Sequence, residues 1–279
     1  MKKHNRTILQ SIKKDFVKGF RRLFWFSYSN IKYLLLIKFN FLFSKKNNTF
    51  RISLLLPTRE RSKKLLRLLN SIVETCSYNN RIEILLLIDE DDKELKEYKE
   101  ITNSTLYKDL NIILLIKNLD TNAKRNNFLA NKSTGDILFP INDDMIFITN
   151  SWDLEVDKVF SKVYNKAYCL WVNSGLKYNY LHCDFPMVNR TWFDQLGYIG
   201  SEFFQFWYLD TWICDLSFKS RNFFITNKIK TYQYSAHTIK SEVDETHLKN
   251  LLNDVPKKDF ITWHNTEKYR IRDAKKLLD

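Results

Sequence analysis

The sequence is poor in glycine, proline and paired cysteine, and each shortage excludes a class of protein. Five glycines and four prolines in 279 residues exclude a collagen-like chain or a long linker and leave no glycine-rich phosphate loop. The four cysteines are widely separated, with no CxxC pair and no small-residue signal-peptide cleavage site near the start. We therefore expect reduced thiols in the cytoplasm. The remaining composition, 44% hydrophobic and 28% charged, is that of a globular protein.

Positive charge is concentrated at the beginning of the chain. Residues 1–50 contain twelve Lys and Arg against a single acid, whereas the rest of the chain contains 33 basic and 31 acidic residues. Apolar residues recur at helical spacing over 8–23, and an aromatic-rich stretch with two lysines inside it follows over 23–43. This pattern favours a cationic amphipathic helix on an anionic membrane surface. The two lysines disfavour a helix that spans the membrane.

Two other interpretations of this segment stay open. It could pack on the body of the protein or on a partner, or it could bind nucleic acid. Aliphatic runs such as residues 34–37 argue against nucleic acid, because phosphate binding needs cations rather than apolar side chains. We therefore expect residues 1–49 to form a basic amphipathic extension that anchors the protein peripherally on the cytoplasmic face of a membrane.

From residue 51 the pattern changes to short apolar runs that alternate with helical segments. The runs predict strands at 51–58, 82–89, 111–117 and 136–142, and the intervening segments predict helices at 60–76, 91–101 and 121–133. This alternation requires crossover connections and indicates an α/β fold with a mostly parallel sheet flanked by helices. In such open sheets, ligands bind at the carboxyl ends of the strands.

Beyond residue 150 the alternation is less regular. Helices are predicted at 151–163, 191–197 and 209–221, and strands, antiparallel or mixed, at 167–174, 178–189 and 223–234. No linker interrupts the chain between 51 and about 255. We therefore expect one domain over 50–255, followed by a charged helical tail over 256–279.

Polar residues stand at the carboxyl ends of the predicted strands. They are Thr58 and Arg59, then Asp89, then Asn142, Asp143 and Asp144. Two adjacent carboxylates at the end of an apolar strand are costly unless a cation is shared between them. This edge of the sheet is therefore the predicted functional site, and a divalent cation with oxygen ligands is its expected occupant.

The order of these motifs resembles the family 2 glycosyltransferases of the GT-A fold. The motifs are Pro57-Thr58-Arg59 before a helix, a strand ending at Asp89, Lys124-Arg125-Asn126, and Gly135-Asp136-Ile137-Leu138 leading to Asn142-Asp143-Asp144. The resemblance covers roughly residues 51–250. It implies an inverting enzyme that transfers sugar from a nucleotide-diphosphate donor with the help of Mn²⁺ or Mg²⁺. The chain departs from the family in one respect, because Asn142 stands where the family commonly has the first aspartate of D-x-D.

The resemblance also implies roles for the residues around the donor. Asp144 would be the direct metal ligand, Asp143 would lie beside the donor ribose or sugar, and Asn142 would offer only a neutral oxygen. His237 matches the position of a second, late metal ligand, and the other histidines, His182 among them, rank below it.

In the nucleotide pocket, Pro57, Thr58 and Arg59 would line the wall. Asp89 would accept a hydrogen bond from the base or ribose, and Arg125 would face the base or the diphosphate. An ordinary strand-end acid and a solvated helix arginine remain the alternatives for the last two residues.

An acceptor hydroxyl needs a general base within hydrogen-bond reach. Asp210, in the aromatic segment WYLDTW, matches the family's later acidic motif and is the first candidate, and Glu202 is the second. Asp210 could instead be an ordinary acid at a helix N-terminus.

The sequence therefore predicts a glycosyltransferase that binds a nucleotide sugar, with a glycan or lipid-linked acceptor in surface polysaccharide synthesis. Two other functions remain open. Asn142 favours a catalytically inactive scaffold of the same fold. A nucleotidyltransferase also uses an α/β sheet with a carboxylate-bound metal, but it would want a glycine-rich phosphate loop after the first strand.

Overall fold

The computed structural model describes residues 49–163, 165–175, 182–234 and 252–278. The predicted basic helix near the start of the chain and the predicted metal ligand His237 lie outside these residues. No helix among the described residues is long and apolar enough to cross a bilayer.

Eight strands of the described residues form one mixed sheet. They are β1 (Ile52–Pro57), β2 (Ile82–Ile88), β3 (Asn111–Ile116), β4 (Ile137–Pro140), β5 (Met145–Phe147), β6 (Cys169–Asn173), β7 (Pro186–Asn189) and β8 (Phe223–Gln233). The strand order is β3-β2-β1-β4-β7-β6-β8-β5. The first four strands are mutually parallel, and β7 pairs antiparallel to both β4 and β6.

The carboxyl ends of the parallel strands meet at one edge of the sheet. Pro57 at the end of β1 pairs with Leu87 near the end of β2, and the end of β4 pairs with Leu55. Because β7 runs in the opposite direction, its first residue, Pro186, also lies toward this edge. Strand β6 is antiparallel to β7, so it ends at the same edge. We call this the carboxyl edge.

Helices cover both faces of the sheet. They are α1 (Ser62–Thr75), α2 (Leu95–Thr102), α3 (Asn122–Lys132), α4 (Trp152–Phe160), α5 (Arg190–Leu196), α6 (Leu209–Ser220), α7 (Val255–Asn265) and α8 (Glu267–Lys276). The apolar residues of α1 recur at helical spacing, so one side of the helix, including Leu65, Leu69 and Ile72, is fully buried. At α3, the hydroxyl of Thr121 caps the N-terminus by accepting from the Lys124 amide.

The apolar side chains form two core clusters. Alternate residues of β1 belong to different clusters, with Leu54 in one and Leu55 in the other, as the two-residue period of a strand requires. All seven residues of β2 are buried, which accounts for its continuous apolar run.

The last two helices complete the second core cluster. Ala274 and Leu277 are buried in it together with residues of α5 and α6. Arg270 of α8 donates to Asp215 of α6 at 2.8 Å and stacks on Trp263 of α7 at 3.6 Å from the ring centroid. The predicted charged tail is thus helical and packs on α5 and α6. The domain boundaries at 49/50 and 255/256 stay predictions.

The predicted α/β fold is confirmed, with two local differences. Strand β5 was not predicted, because three residues are too few to show a period, and its pairing with β8 is non-local. The strand predicted over 178–189 extends only over Pro186–Asn189 in the described residues, since residues 182–185 are irregular.

Gly135 lies in a crossing too tight for a side chain. A Cβ at this position would lie 2.3 Å from Ser53 Oγ and 2.7 Å from Ser53 N. The space is occupied by a buried network in which the Gly135 amide donates to Ser53 Oγ at 2.9 Å and the Ser53 hydroxyl donates to Glu83. The Thr134 amide donates to the same carboxylate at 2.9 Å. This network ties the start of β4 to β1 and β2.

We therefore expect Gly135→Ala to destabilise the protein by about 3 kcal/mol, because the methyl group must displace backbone. Gly197→Ala is the matched control. Gly197 ends α5 at φ +78 with open space around its Cβ, so only the left-handed backbone penalty of about 1 kcal/mol applies. Chemical denaturation of both variants measures the difference, and equal losses would contradict this account of Gly135.

Candidate active site

Asp143 is held in the turn between β4 and β5 by two groups from the segment after β1. It is 1% exposed. The Thr58 hydroxyl donates to one carboxylate oxygen, and Arg61 Nη1 donates to the other at 3.0 Å. A buried carboxylate needs such a partner, because ionisation without one would be strongly disfavoured. Arg61 therefore neutralises Asp143 directly.

Asp144 faces the other side of this turn and has weaker partners. Its backbone carbonyl accepts from the Tyr234 amide at 2.7 Å, whereas Gln233 Nε2 lies 3.4 Å from each carboxylate oxygen. Burial, followed by the neighbouring charge of Asp143, raises the pKa of Asp144 to about 6. The charge of this half-buried carboxylate is thus incompletely compensated, which is the condition in which a bound cation is stabilising.

Asn142 contributes less to this turn than its two neighbours. Its side chain is exposed, and its backbone carbonyl accepts from the Met145 amide at 3.3 Å. Within the predicted triplet Asn142-Asp143-Asp144, Asp144 is therefore the residue suited to bind a metal. Asp143 is already held by Thr58 and Arg61.

Asp89 is clamped between two arginines at the end of β2. It is 4% exposed. Arg59 Nη1 donates to Oδ2 at 2.9 Å, and Arg125 Nη2 lies 2.9 Å from both oxygens. Arg125 is oriented in turn by its Nε, which donates to the Leu119 carbonyl at 2.8 Å. The structure thus brings together three of the predicted nucleotide-pocket residues.

Arg59 is fixed further by Asp91, which the sequence analysis did not consider. Two parallel hydrogen bonds, of 2.6 and 2.9 Å, join the guanidinium to the carboxylate. Hydrogen bonding to Asp91, and then to Asp89, raises the pKa of Arg59 above its ordinary value. A guanidinium held in this bidentate way presents a fixed planar face.

A cleft of about 430 Å³ opens above this clamp. Its lining residues are Arg59, Asp89, Asp91, Asn118, Leu119, Asp120, Lys124 and Arg125. Pro57 and Thr58 precede this wall, and the Thr58 amide donates to the Leu87 carbonyl at 3.0 Å. Thr58 is buried and its hydroxyl faces Asp143, so it connects the cleft to the acidic turn rather than lining the cleft.

Asp210 lies in the first turn of α6, beside a histidine that the sequence analysis ranked low. His182 Nε2 lies 3.0 Å from Asp210 Oδ2, while Oδ1 accepts from the Thr211 amide at 2.6 Å. Burial would raise the pKa of Asp210, but the charge of His182 and its hydrogen bond outweigh burial and lower it. Asp210 therefore stays ionised at neutral pH. No local pattern could reveal His182, because the two residues are 28 positions apart.

Asp184 lies on the other side of His182. Its Oδ1 is 3.7 Å from His182 Nε2, and the Ser174 hydroxyl donates to its Oδ2. Ser174 follows β6 and Asp184 precedes β7, so both lie at the carboxyl edge. The N-terminus of α6 lies there too, because α6 leads into β8, which runs parallel to β6.

Glu202, the second candidate base, is exposed on the loop before α6. Asn127 Nδ2 donates to its carboxylate at 3.1 Å and also to the Gly200 carbonyl at 3.0 Å. Glu202 is not directed into a buried site in the described residues, and Asp210 has the more defined surroundings.

The aromatic residues near Asp210 are mainly core residues. Trp212 is fully buried. Tyr208 stacks between Phe204 and Trp263, at centroid distances of 5.2 and 5.3 Å. In the loop before α6, the backbone amides of residues 205–207 donate hydrogen bonds to the carboxylate of Asp259 on α7.

The comparisons with known proteins concern the family and the fold. Residues 53–172 match the family model described as glycosyl transferase family 2. The predicted resemblance to family 2 glycosyltransferases is confirmed. The matched segment runs from β1 to β6, so it contains the arginine clamp and the acidic turn. Among curated protein sequences, none matches the chain.

Solved structures share the GT-A fold at low sequence identity. A mannosyltransferase from Pyrobaculum calidifontis, in complex with GDP-Man and Mn²⁺, has a TM-score of 0.59 and 11% identity over 95% of this chain and 83% of its own. TarS of S. aureus has a TM-score of 0.53 and 12% identity over 75% of this chain and 43% of its own. GalNAc-T7, with UDP, GalNAc and Mn²⁺, has a TM-score of 0.52 and 14% identity over 67% and 44%.

Arg61 was missed by the sequence analysis although a signal was available. The opening motif continues as PTRER, so a second arginine, Arg61, stands two residues after Arg59. The sequence prediction assigned a role in the site to Arg59 and none to Arg61. The structure shows that the two arginines neutralise different carboxylates.

The raised pKa of Asp144 predicts a pH-dependent loss of stability in the metal-free protein. Its carboxyl group ionises at about 6 when folded and at the ordinary value of 3.8 when unfolded, so ionisation opposes folding. Relative to Asp144→Asn, the wild type should lose about 3 kcal/mol as the pH rises through this window. Urea titrations between pH 3.5 and 7 measure the difference. A difference that does not vary with pH would refute the assignment, and exposed Asp109→Asn is the control.

Proposed function

We propose that the protein is a glycosyltransferase that transfers a sugar from a nucleotide-diphosphate donor, with inversion, to a glycan or lipid-linked acceptor in surface polysaccharide synthesis. The observation that carries the proposal is the convergence of three groups at one sheet edge. These groups are the arginine-clamped cleft at Asp89, the acidic turn at Asp143 and Asp144, and the ionised Asp210 at the start of α6. Ligands of open α/β sheets bind at this edge.

The donor's nucleotide fits the cleft beside Asp89. The planar Arg59 guanidinium offers a face on which a base can stack. Arg125 and Lys124, which are paired with Asp89 and Asp120, lie on the same wall and would donate hydrogen bonds to the diphosphate of the donor. The structures with GDP-Man and with UDP contain nucleotides of this class, which supports the proposed ligand without deciding the base.

A divalent cation fits the acidic turn through Asp144. This carboxylate is half-buried, lies beside a second buried acid and has an incompletely compensated charge. Hard cations such as Mn²⁺ or Mg²⁺ prefer oxygen ligands. Bound there, the cation would neutralise the charge that develops on the leaving diphosphate. Asp143 would stay on Arg61 and Thr58 and would orient this turn. His237 remains a proposed second ligand.

Asp210 serves as the general base in this proposal. The acceptor hydroxyl attacks the anomeric carbon from the side opposite the diphosphate. The new carbon–oxygen bond forms, the bond to phosphate breaks, and the hydroxyl proton passes to Asp210. The lowered pKa of Asp210 keeps the carboxylate ionised and ready to accept that proton.

The test is donor hydrolysis and nucleotide binding by the full chain, with Mn²⁺ present, across UDP-, GDP- and dTDP-sugars. Turnover of one donor, with product of inverted anomeric configuration by NMR, is expected. Nucleotide binding without any turnover would favour the inactive scaffold that Asn142 makes plausible. If the chain neither binds a nucleotide nor hydrolyses any of these donors, the proposal is wrong.

Substitution of the base should separate chemistry from binding. Asp210→Asn is expected to lower turnover by about 10² to 10⁴, because a positioned base contributes on that order, while the nucleotide Kd changes less than about twofold. Asp109→Asn is the matched control, since Asp109 is exposed on the loop before β3. Full turnover in Asp210→Asn would exclude Asp210 as the general base and leave Glu202 as the remaining candidate.

We also propose that residues 1–49 hold the protein on the cytoplasmic face of a membrane. The support is the sequence pattern alone, with twelve cations in the first 50 residues, each worth about 1 kcal/mol near an anionic surface. Flotation with liposomes that contain anionic lipid should recover the whole chain but not a chain that starts at residue 50. Equal flotation of the two would exclude the anchor.

A further inference from the structure

His182, Asp184 and Asp210 form a group that the expected metal site at Asp144 does not include. The three residues come from two different parts of the chain, the segment before β7 and the first turn of α6. Their candidate ligand atoms all lie within 4.8 Å of one another. Each side chain is partly accessible, with exposures of 33%, 20% and 34%, so a small ion can reach the group from solvent.

The spacing of the ligand atoms suits a single bound ion. His182 Nε2 is 3.0 Å from Asp210 Oδ2 and 3.7 Å from Asp184 Oδ1. Ligands bound to one ion at bond lengths near 2.0 to 2.2 Å lie roughly 3 to 4.4 Å apart. The two distances from the imidazole nitrogen fall within this range, and no pair of candidate ligand atoms is more than 4.8 Å apart.

Each carboxylate is oriented through its outer oxygen. The Ser174 hydroxyl donates to Asp184 Oδ2, and the amide and hydroxyl of Thr211 donate to Asp210 Oδ1 at 2.6 and 3.1 Å. The oxygens that face the imidazole are the opposite ones, Oδ1 of Asp184 and Oδ2 of Asp210. Outer hydrogen bonds of this kind commonly orient the ligands of metal sites.

The charges also favour a cation. Two carboxylates surround one imidazole, so the group carries a net negative charge whether or not the imidazole is protonated. A divalent ion bound among the three residues would offset the charge of both carboxylates.

We propose that His182, Asp184 and Asp210 bind a divalent transition-metal ion, with Zn²⁺ as the best match to one imidazole and two carboxylates. Three protein ligands leave a fourth position of a tetrahedral ion open to solvent. One consequence rests on the proposed function: a metal bound to Asp210 prevents this residue from accepting the acceptor's proton, so Zn²⁺ should inhibit sugar transfer. The binding itself does not depend on the protein being an enzyme.

The test is calorimetric titration of the full chain with Zn²⁺ alone, without nucleotide, and with Co²⁺ as a visible-absorption probe of coordination. We expect a site of micromolar Kd that persists in the Asp144→Asn background, together with four-coordinate Co²⁺ absorption. His182→Gln and Asp184→Asn should each weaken binding at least about 30-fold. Ser174→Ala should weaken it about 10-fold through loss of the outer hydrogen bond.

His264→Gln is the matched control, because His264 is an exposed histidine on α7 outside the group. Circular dichroism and thermal unfolding check that each variant folds. If His182→Gln does not fold, the Zn²⁺ affinity of Asp184→Asn tests the site instead. Retention of the site in both ligand variants, or its loss in His264→Gln or Asp144→Asn, would overturn the proposal. A wild-type Kd in the millimolar range would mean that the group is only a hydrogen-bonded ion pair. If donor turnover is absent while Zn²⁺ binds as expected, the proposed function fails and the metal site stands.

Discussion

Neutralisation of buried carboxylates by arginines at the carboxyl edge is the constraint on which the rest of the site depends. Asp143 is 1% exposed and Asp89 is 4% exposed, and a carboxylate charge buried this deeply is costly unless a positive group is paired with it. Arg61 supplies it for the first, and Arg59 with Arg125 supplies it for the second. Removal of one member of such a pair typically costs about 3–5 kcal/mol, because the other charge is left buried alone.

These pairs also divide the acidic turn into two parts with different chemistry. Because Arg61 is committed to Asp143, the neighbouring Asp144 has only the distant amide of Gln233 and the field of nearby cations to offset its charge. An aspartate at position 142 would add a third negative charge to the same turn. Asn142 instead adds no charge, so Asp144 remains the one incompletely compensated carboxylate of the turn, and a metal ion would be held more weakly there than by a D-x-D triplet.

The α/β fold was predictable from the sequence because each strand and helix of residues 51–142 can be recognised from its own short run of residues. Each parallel strand appears as an apolar run, and the helical segments between the runs require crossover connections and hence parallel pairing. Non-local pairing was not predictable. Strand β5 has three residues and pairs with residues more than 80 positions away, and the contact of His182 with Asp210 depends on how the segment before β7 meets α6. Arg61 could have been predicted, because it stands in the motif PTRER only two residues after Arg59.

The order of the strands along the chain has a consequence for synthesis. The four parallel strands are complete once residue 140 has emerged, so the half of the sheet that carries the clamped cleft can pair early. One face of that half includes Leu55 and Leu85, which pack in the second core cluster against Trp192 of α5, and Leu277, near the end of the chain, belongs to the same cluster. On the ribosome, only Leu129 and Ala130 of α3 can cover this face at first, because the other members of the cluster, from Ala167 to Leu277, are made later. Apolar surface that is exposed in this way makes a partly synthesised chain prone to aggregation.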